Sequence, residues 1–235
     1  MKAVVLCGGK GTRLRPYTEE VPKPMLPLGQ KPILQYVIEN GKRAGITDFY
    51  LTVGYLKEQI MDYFKDGKQF GVNIHYVVEQ EPQNTAGSIL PLKEELREPF
   101  FVLMGDHLTN INLKDMYAFH TSNHAFATLA LKEQKKKLEY GVVELNDGKE
   151  ILGFKEKPVV SHYINTAIYL FQPQVFQYIQ PKEDFGKDVL PRMLKHRERV
   201  LGYVFKEFWM DVGRVTDYEK LHDFITIVEL VSSFG

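Results

Sequence analysis

Residues 1–16 read MKAVVLCGGKGTRLRP, and the fold follows from how this stretch is parsed. Lys2–Cys7 is a short apolar run with paired valines, bounded by glycines, which is the pattern of a strand buried on both faces. Gly8, Gly9 and Gly11 follow at once, interleaved with Lys10 and closed by Thr12 and Arg13. Glycines after a buried strand let the backbone approach a phosphate and turn N–H donors toward it. Two familiar phosphate motifs nevertheless fail. A P-loop needs Ser or Thr after its lysine, and here Lys10 precedes Gly11; a dinucleotide fingerprint needs a third glycine where Leu14 stands. On this segment alone, a tight turn with no ligand is the competing reading.

Outward from this strand, short β-branched runs alternate with helical patterns. Strands are expected at Asp48–Val53, Asn73–Val78 and Phe100–Met104, and helices at Ile33–Ala44, Lys57–Phe64 and Leu113–His120. Thr85–Leu96 also reads as helical, with Pro91 distorting it. This alternation predicts an α/β chain: a Rossmann-like, three-layer, mostly parallel sheet with helices on both faces. The second half is richer in strands, at Ala127–Leu131, Gly141–Leu145, Ile151–Phe154, Ile164–Phe171 and Val200–Phe205. Helices are expected near Gln174–Ile179 and Asp188–His196, and a last one over Val215–Val231. Lys132–Lys137 (KEQKKK) is the most loop-like segment and reads as a solvated charged face.

Composition narrows the partners. Thirty Lys and Arg balance thirty Asp and Glu, so nothing in the net charge favours nucleic acid or an anionic membrane. Cys7 is the single cysteine, which excludes an intrachain disulfide and fits a reducing cytoplasm. No stretch approaches the roughly 18–20 apolar residues that span a bilayer.

Residues 6–34, LCGGKGTRLRPYTEEVPKPMLPLGQKPIL, resemble the signature of the sugar-1-phosphate nucleotidyltransferases, or nucleoside-diphosphate-sugar pyrophosphorylases. The likeness lies in Gly-Gly-x-Gly-Thr-Arg, Arg15-Pro16 and Pro22-Lys23-Pro24, and Cys7 stands where the family usually has Ala. It implies the nucleotide-diphospho-sugar transferase fold in one domain, with a nucleotide lobe over about residues 1–125 and a strand-rich sugar-phosphate lobe over about 126–235. Only a short tail follows Asp211, so no left-handed β-helix domain is expected. The reaction joins a nucleoside triphosphate to a sugar 1-phosphate with Mg²⁺ and releases pyrophosphate. Because the attacking phosphate is already anionic, with a second pKa of about 6, the chemistry needs no general base. It needs cations on two polyanions and carboxylates for the metal.

The resemblance assigns these roles residue by residue. Leu6, Gly8, Gly9, Gly11 and Thr12 hold the nucleotide, Arg13 meets the leaving phosphates, and Lys23 lies near the transferred phosphate, with Arg15 assisting or supporting the loop. Asp106, after Phe100–Met104, and Asp211, in FWMDVGRVTDY, carry Mg²⁺. Gly141 in Tyr-Gly-Val-Val, Glu156 and Lys157 in Glu-Lys-Pro, and Asn165 in Ile-Asn-Thr-Ala-Ile-Tyr form the sugar-phosphate side. Thr166 and Ala167 depart from the family's smaller residues there. His107 also departs; a role behind the metal ligands is expected for it, with contact to the sugar as the alternative.

Glu79, Asn84 and Thr85, in EQEPQNTAG, correspond to the base-reading loop. A carboxylate only accepts hydrogen bonds, so Glu79 suits guanine, whose N1–H and exocyclic amine are adjacent donors. This and the Phe-Trp-Met-Asp run look most like the mannose-1-phosphate guanylyltransferases. GTP with mannose 1-phosphate, or a related hexose or heptose 1-phosphate, is therefore the expected pair. Asn84 stands where the family usually has Gly. The alternatives are a thymidylyl- or uridylyltransferase acting on glucose 1-phosphate, an enzyme of the same fold with a non-sugar acceptor, and a catalytically silent nucleotide-sugar sensor. Leu221, Phe224, Ile225, Val228 and Val231 recur at helical spacing, for packing on the core or for contact with a second copy.

Overall fold

The computed structural model describes residues 1–232, and side chains as far as residue 225. The chain runs through β1 (Lys2–Leu6), β2 (Pro27–Leu28), β3 (Lys31–Pro32), α1 (Ile33–Arg43), β4 (Asp48–Val53), α2 (Lys57–Phe64) and β5 (Asn73–Val78). It continues through α3 (Asn84–Gly87), β6 (Phe100–Met104), β7 (His107–Thr109), α4 (Leu113–Ser122), β8 (Ala127–Lys137), β9 (Val142–Leu145) and β10 (Ile151–Lys155). It ends with β11 (Val159–Phe171), α5 (Leu190–Lys195), β12 (Val200–Val204), β13 (Trp209–Asp211) and α6 (Val215–Ser232).

Seven strands form one sheet in the order β12-β8-β11-β6-β1-β4-β5. Only β11 runs against its neighbours; the other pairings are parallel, as the sequence predicts. Alternation along β1 divides the core. Ala3 and Val5 face α1, α2 and α4, whereas Val4 faces the layer built from residues 86–96 and 175–193. Because both sides of the strand are covered, its residues need no polar alternation. A third cluster joins Leu14, Leu26, Leu28 and Ile33 to Val212, Tyr218 and Leu221, so α6 clamps the segment after the glycines. Leu221 and Ile225 do pack inward, while Phe224 is exposed; the side chains of Val228 and Val231 lie outside the described residues.

Several elements differ from expectation. Residues 85–96 form only the short α3 and a 3-10 turn at Leu90–Leu92, because Pro91 has no N–H to continue the helix. Residues 174–178 belong to a 3-10 run, Pro173–Tyr178, and a π turn at Phe185–Val189 precedes α5, which is shorter than Asp188–His196. Lys132–Lys137 is strand, not loop. It extends β8 against β11, with Lys137 opposite Val159 and Lys132 opposite Ile164. Beyond the sheet's covered part both faces of this arm meet water, so lysines at consecutive positions are tolerated.

His120, on α4, is fully buried, with Nδ1 2.9 Å from Thr128 Oγ1 and Nε2 3.1 Å from Gln172 Nε2. An amide nitrogen only donates, so Nε2 accepts, Nδ1 carries the proton and the ring is neutral. Burial pulls its pKa from 6.5 down to about 4. The unfolded chain therefore binds a proton below about 6.5 that the folded chain refuses until about pH 4. Stability from this site is complete above that window and is lost as pH falls through it. Urea midpoints followed from neutral pH to about pH 4 should fall more steeply for the wild type than for His120→Gln, whose amide does not titrate; parallel profiles would contradict the neutral burial.

Candidate active site

The sheet order reverses at β1: the chain goes from β1 outward to β4 and β5, then returns to place β6 on β1's other side. Loops leaving the carboxyl ends of β1 and β6 diverge there and open a crevice, the usual ligand position in open α/β sheets. The first loop carries Gly8–Arg13 and the second carries Gly105 and Asp106.

Local chemistry fixes the glycine loop. Gly11 sits at φ 60°, and a Cβ there would lie 3.0 Å from Thr18 Cγ2 and 3.2 Å from Lys23 Cβ. The Thr18 hydroxyl donates to the Gly11 carbonyl at 2.8 Å and ties the loop to the chain leading to Lys23. A side chain at position 11 would therefore be strained and would push Lys23 aside.

Asp211 reaches Asp106 through a pairing the sequence did not reveal. Short strands β7 and β13 run antiparallel with His107 opposite Asp211, and the Val212 N–H donates to the Asp106 carbonyl. Lys23 Nζ forms an ion pair with Asp106 Oδ2 and stands 3.4 Å from Asp211 Oδ1. Its side chain is 11% exposed, so one nearly buried cation holds two carboxylates together. His107 stands behind them, with Nε2 3.8 Å from Asp106 Oδ1 and 3.6 Å from Asp211 Oδ1. Its Nδ1 is 3.2 Å from the Thr166 carbonyl, which only accepts, so Nδ1 is the donor; the ring meets Trp209 edge-on.

The pair Asp106–Asp211 fits Mg²⁺, which takes one or two carboxylates and fills its remaining positions with water and phosphate oxygens. Among the described residues there is no group of three or more His, Cys, Asp or Glu, the kind of cage a dehydrated metal requires.

Asp106 lines three adjoining chambers of the crevice. Gly9, Gly11, Thr12, Arg13 and Lys23 line the first, and Leu6 borders it. Gly8, Thr52, Glu79, Asn84 and Thr85 line the second, again with Leu6. Arg13, Lys23, His107, Tyr169, Lys187 and Asp211 line the third. The nucleotide and metal residues read from the sequence are thus together. Cys7 faces the first chamber, but burial, then the carboxylates of Asp106 and Glu79, push its thiol pKa up, so it is a packing group and not a nucleophile.

Asn84 has φ 57°, a left-handed backbone that favours glycine and that Asn tolerates, and its amide donates to the Lys182 carbonyl at 2.8 Å. The Thr85 hydroxyl donates to Asp184 Oδ1 and accepts from the Phe185 N–H, both at 2.9 Å. Both residues therefore brace the loop at the start of α3 against residues 182–185 while bordering the chamber.

The sugar-side residues lie elsewhere. Gly141, Glu156 and Lys157 flank the two-stranded β9–β10 arm and line none of the three chambers. Gly141 and Glu156 are close to one another: a Cβ on Gly141 would lie 3.1 Å from Glu156 Oε2 and would strike the Phe154 ring. Glu156 and Lys157 are exposed, and Lys157 has φ 42°. Asn165 is occupied within β11, donating to the Tyr169 hydroxyl at 2.8 Å and accepting from the Ala167 N–H at 3.0 Å. It holds the bulge that brings Ala167 and Tyr169 to the third chamber. Sequence reasoning missed Thr52, Tyr169, Asp184 and Lys187. The last two sit in an unpatterned PKEDFGKD stretch, and only the fold carries them to the crevice.

The nucleotidyl transferase family model matches residues 2–227. A UTP–glucose-1-phosphate uridylyltransferase of Synechocystis sp. is 36% identical over 93% of this chain and 61% of its own length. A mannose-1-phosphate guanyltransferase of Schizosaccharomyces pombe is 37% identical over 93% of this chain and 62% of its own. The chain thus spans about three fifths of the length of these curated relatives. The crystal structure of HddC from Yersinia pseudotuberculosis superposes with a TM-score of 0.75 at 24% identity, covering 95% of this chain and 98% of that one. At that identity the likeness speaks for the fold alone. No helix among the described residues is long and apolar enough to cross a membrane.

Proposed function

This chain belongs to the nucleotidyl transferase family, and from that premise we propose that it is a sugar-1-phosphate nucleotidyltransferase. In this reading a sugar-phosphate oxygen attacks the α-phosphorus of a nucleoside triphosphate, the α–β bridge breaks and pyrophosphate leaves. One observation carries the proposal: Lys23 joins Asp106 to Asp211 beside the glycine loop and Arg13, at the sheet's switch point. Arg13 meets the leaving phosphates, and Lys23 meets the phosphate being transferred. Mg²⁺ on the two aspartates would offset the charge of the meeting polyanions. Gly141, Glu156, Lys157 and Asn165 serve the sugar phosphate by resemblance, and Lys187 is a further cation, lining the third chamber beside Arg13 and Lys23.

For the base we propose guanine, with mannose 1-phosphate or a related hexose or heptose 1-phosphate as acceptor. Glu79 Oε1 is buried and has no hydrogen-bond partner among the described residues, and the carboxylate abuts Gly8, where a Cβ would lie 2.9 Å from Oε2. An acceptor-only group at that depth favours a base with adjacent donors. The guanyltransferase from Schizosaccharomyces pombe agrees with this choice. The Synechocystis relative favours the uridylyl alternative with glucose 1-phosphate.

The test is a matrix of nucleoside triphosphates against sugar 1-phosphates, scored by pyrophosphate release. GTP should exceed dTTP and UTP, and Glu79→Gln should erode that preference by the roughly 1–3 kcal/mol attached to an unpaired buried polar group. A wild-type preference for UTP or dTTP would overturn guanine and leave the reaction class standing. No turnover with any pair would favour the sensor.

A further inference from the structure

The geometry points to Thr52, at the end of β4, as a second base-reading residue that sets nucleotide specificity beside Glu79. Thr52 is 1% exposed, and its Oγ1 is buried with no hydrogen-bond partner among the described residues. Buried hydroxyls are normally paired, so each exception calls for a reason. Cys7 N–H takes the backbone carbonyl of Thr52, leaving the side chain uninvolved in that contact.

Register gives the direction. In the parallel β4–β5 pair Thr52 stands opposite Val77, and the ladder continues with Glu79 N–H donating to the Val53 carbonyl at 2.8 Å. Glu79 is two residues beyond Val77, so it shares Thr52's face of the sheet. Both side chains line the second chamber, where Leu6, Pro82 and Met104 supply apolar walls and Gly8 and Gly9 also border it. Two unpartnered polar atoms, Thr52 Oγ1 and Glu79 Oε1, thus border one chamber with apolar walls. That is the chemistry of a site for a heterocycle read along its polar edge.

The two groups are not equivalent. A carboxylate can only accept, whereas a hydroxyl can donate as well. Together they match an edge that carries adjacent N–H donors followed by a carbonyl acceptor. On guanine, Glu79 takes N1–H and the exocyclic amine, and Thr52 donates to O6. A base lacking that carbonyl leaves the hydroxyl buried and unpaired, which weakens its binding. This assignment rests on the guanine reading of Glu79.

Calorimetric titration of GTP, ATP, dTTP and UTP with Mg²⁺ into wild type, Thr52→Val and Thr52→Ser tests it. Valine keeps the shape and removes the hydroxyl; serine keeps the hydroxyl. Thr52→Val should bind GTP on the order of 10-fold more weakly, the scale of one buried hydrogen bond, and Thr52→Ser should stay near wild type. Without nucleotide, Thr52→Val should melt at the wild-type temperature or above it, because it replaces an unpaired hydroxyl with a methyl group. A purely structural threonine would instead lower the melting temperature when replaced. Unchanged GTP affinity in Thr52→Val, or a lower melting temperature in the free protein, would overturn the role. If the wild type prefers another base, guanine fails by that result alone. Thr52 then stands if Thr52→Val weakens the preferred nucleotide selectively, and falls if all nucleotides are affected alike.

Discussion

Asp106→Asn and Asp211→Asn should each reduce turnover by at least ~100-fold, the scale of losing one major electrostatic contributor to a transition state. The two residues come from distant segments and meet only because β7 pairs with β13 and sets His107 opposite Asp211. Asparagine keeps the size and one oxygen but removes the charge that a divalent cation needs beside a triphosphate. Both variants should retain the wild-type melting temperature within a few degrees, since both carboxylates are partly exposed, at 24% and 39%. Each should also need more Mg²⁺ to reach half of its residual rate. Near-normal turnover in either folded variant would remove that residue from the metal site.

Lys23→Met should likewise fall by about 100-fold or more at saturating Mg²⁺, but with a different signature. Lys23 Nζ is bound to Asp106 and lies 3.4 Å from Asp211, so without substrate it neutralises the same carboxylates that are proposed to hold the metal. Removing it takes away a competing cation, and Mg²⁺ should then bind at least as tightly as in the wild type. Methionine retains most of the length of the side chain, without its charge, in a site that is 11% exposed. Magnesium titrations of the rate separate the cases: the aspartate variants lose metal affinity, whereas the lysine variant loses turnover with metal affinity kept. A lysine variant that recovers full rate at high Mg²⁺ would show that Lys23 only neutralises the aspartates.

The readable parts of the sequence are those in which local pattern and fold agree. β1, β4 and β6 are buried on both faces, so their continuous apolar runs stand out against the helices between them. The glycine loop is equally legible, because Gly11 has a positive φ and its surroundings leave no room for a side chain. Lys132–Lys137 was illegible as strand, since an arm wetted on both faces carries no hydrophobic alternation. Residues 85–96 fail for a different reason: the apolar positions are genuine core, contributed by turns and not by one helix. The residues proposed to hold the nucleotide could be brought together from the sequence because they sit on short loops beside strands. Thr52 was invisible for the opposite reason, being a hydroxyl inside an apolar strand whose sequence signals only burial. Asp184 and Lys187 reach the crevice through a loop with no recognisable pattern, and only the packing of residues 182–192 against α3 delivers them. That packing includes the ion pair between Arg192 and Glu183, whose carbonyl accepts from the Ala86 and Gly87 N–H groups.

The most direct measurement follows the phosphorus atoms. Purified protein is incubated with Mg²⁺, mannose 1-phosphate and GTP labelled at either the α- or the γ-phosphorus, and the products are separated. The proposed attack at the α-phosphorus predicts that α-label appears in a nucleoside-diphosphate-sugar and γ-label in pyrophosphate, in equal amounts. Label from the γ-position in inorganic phosphate or on the sugar would mean that a different bond breaks, and would contradict the account.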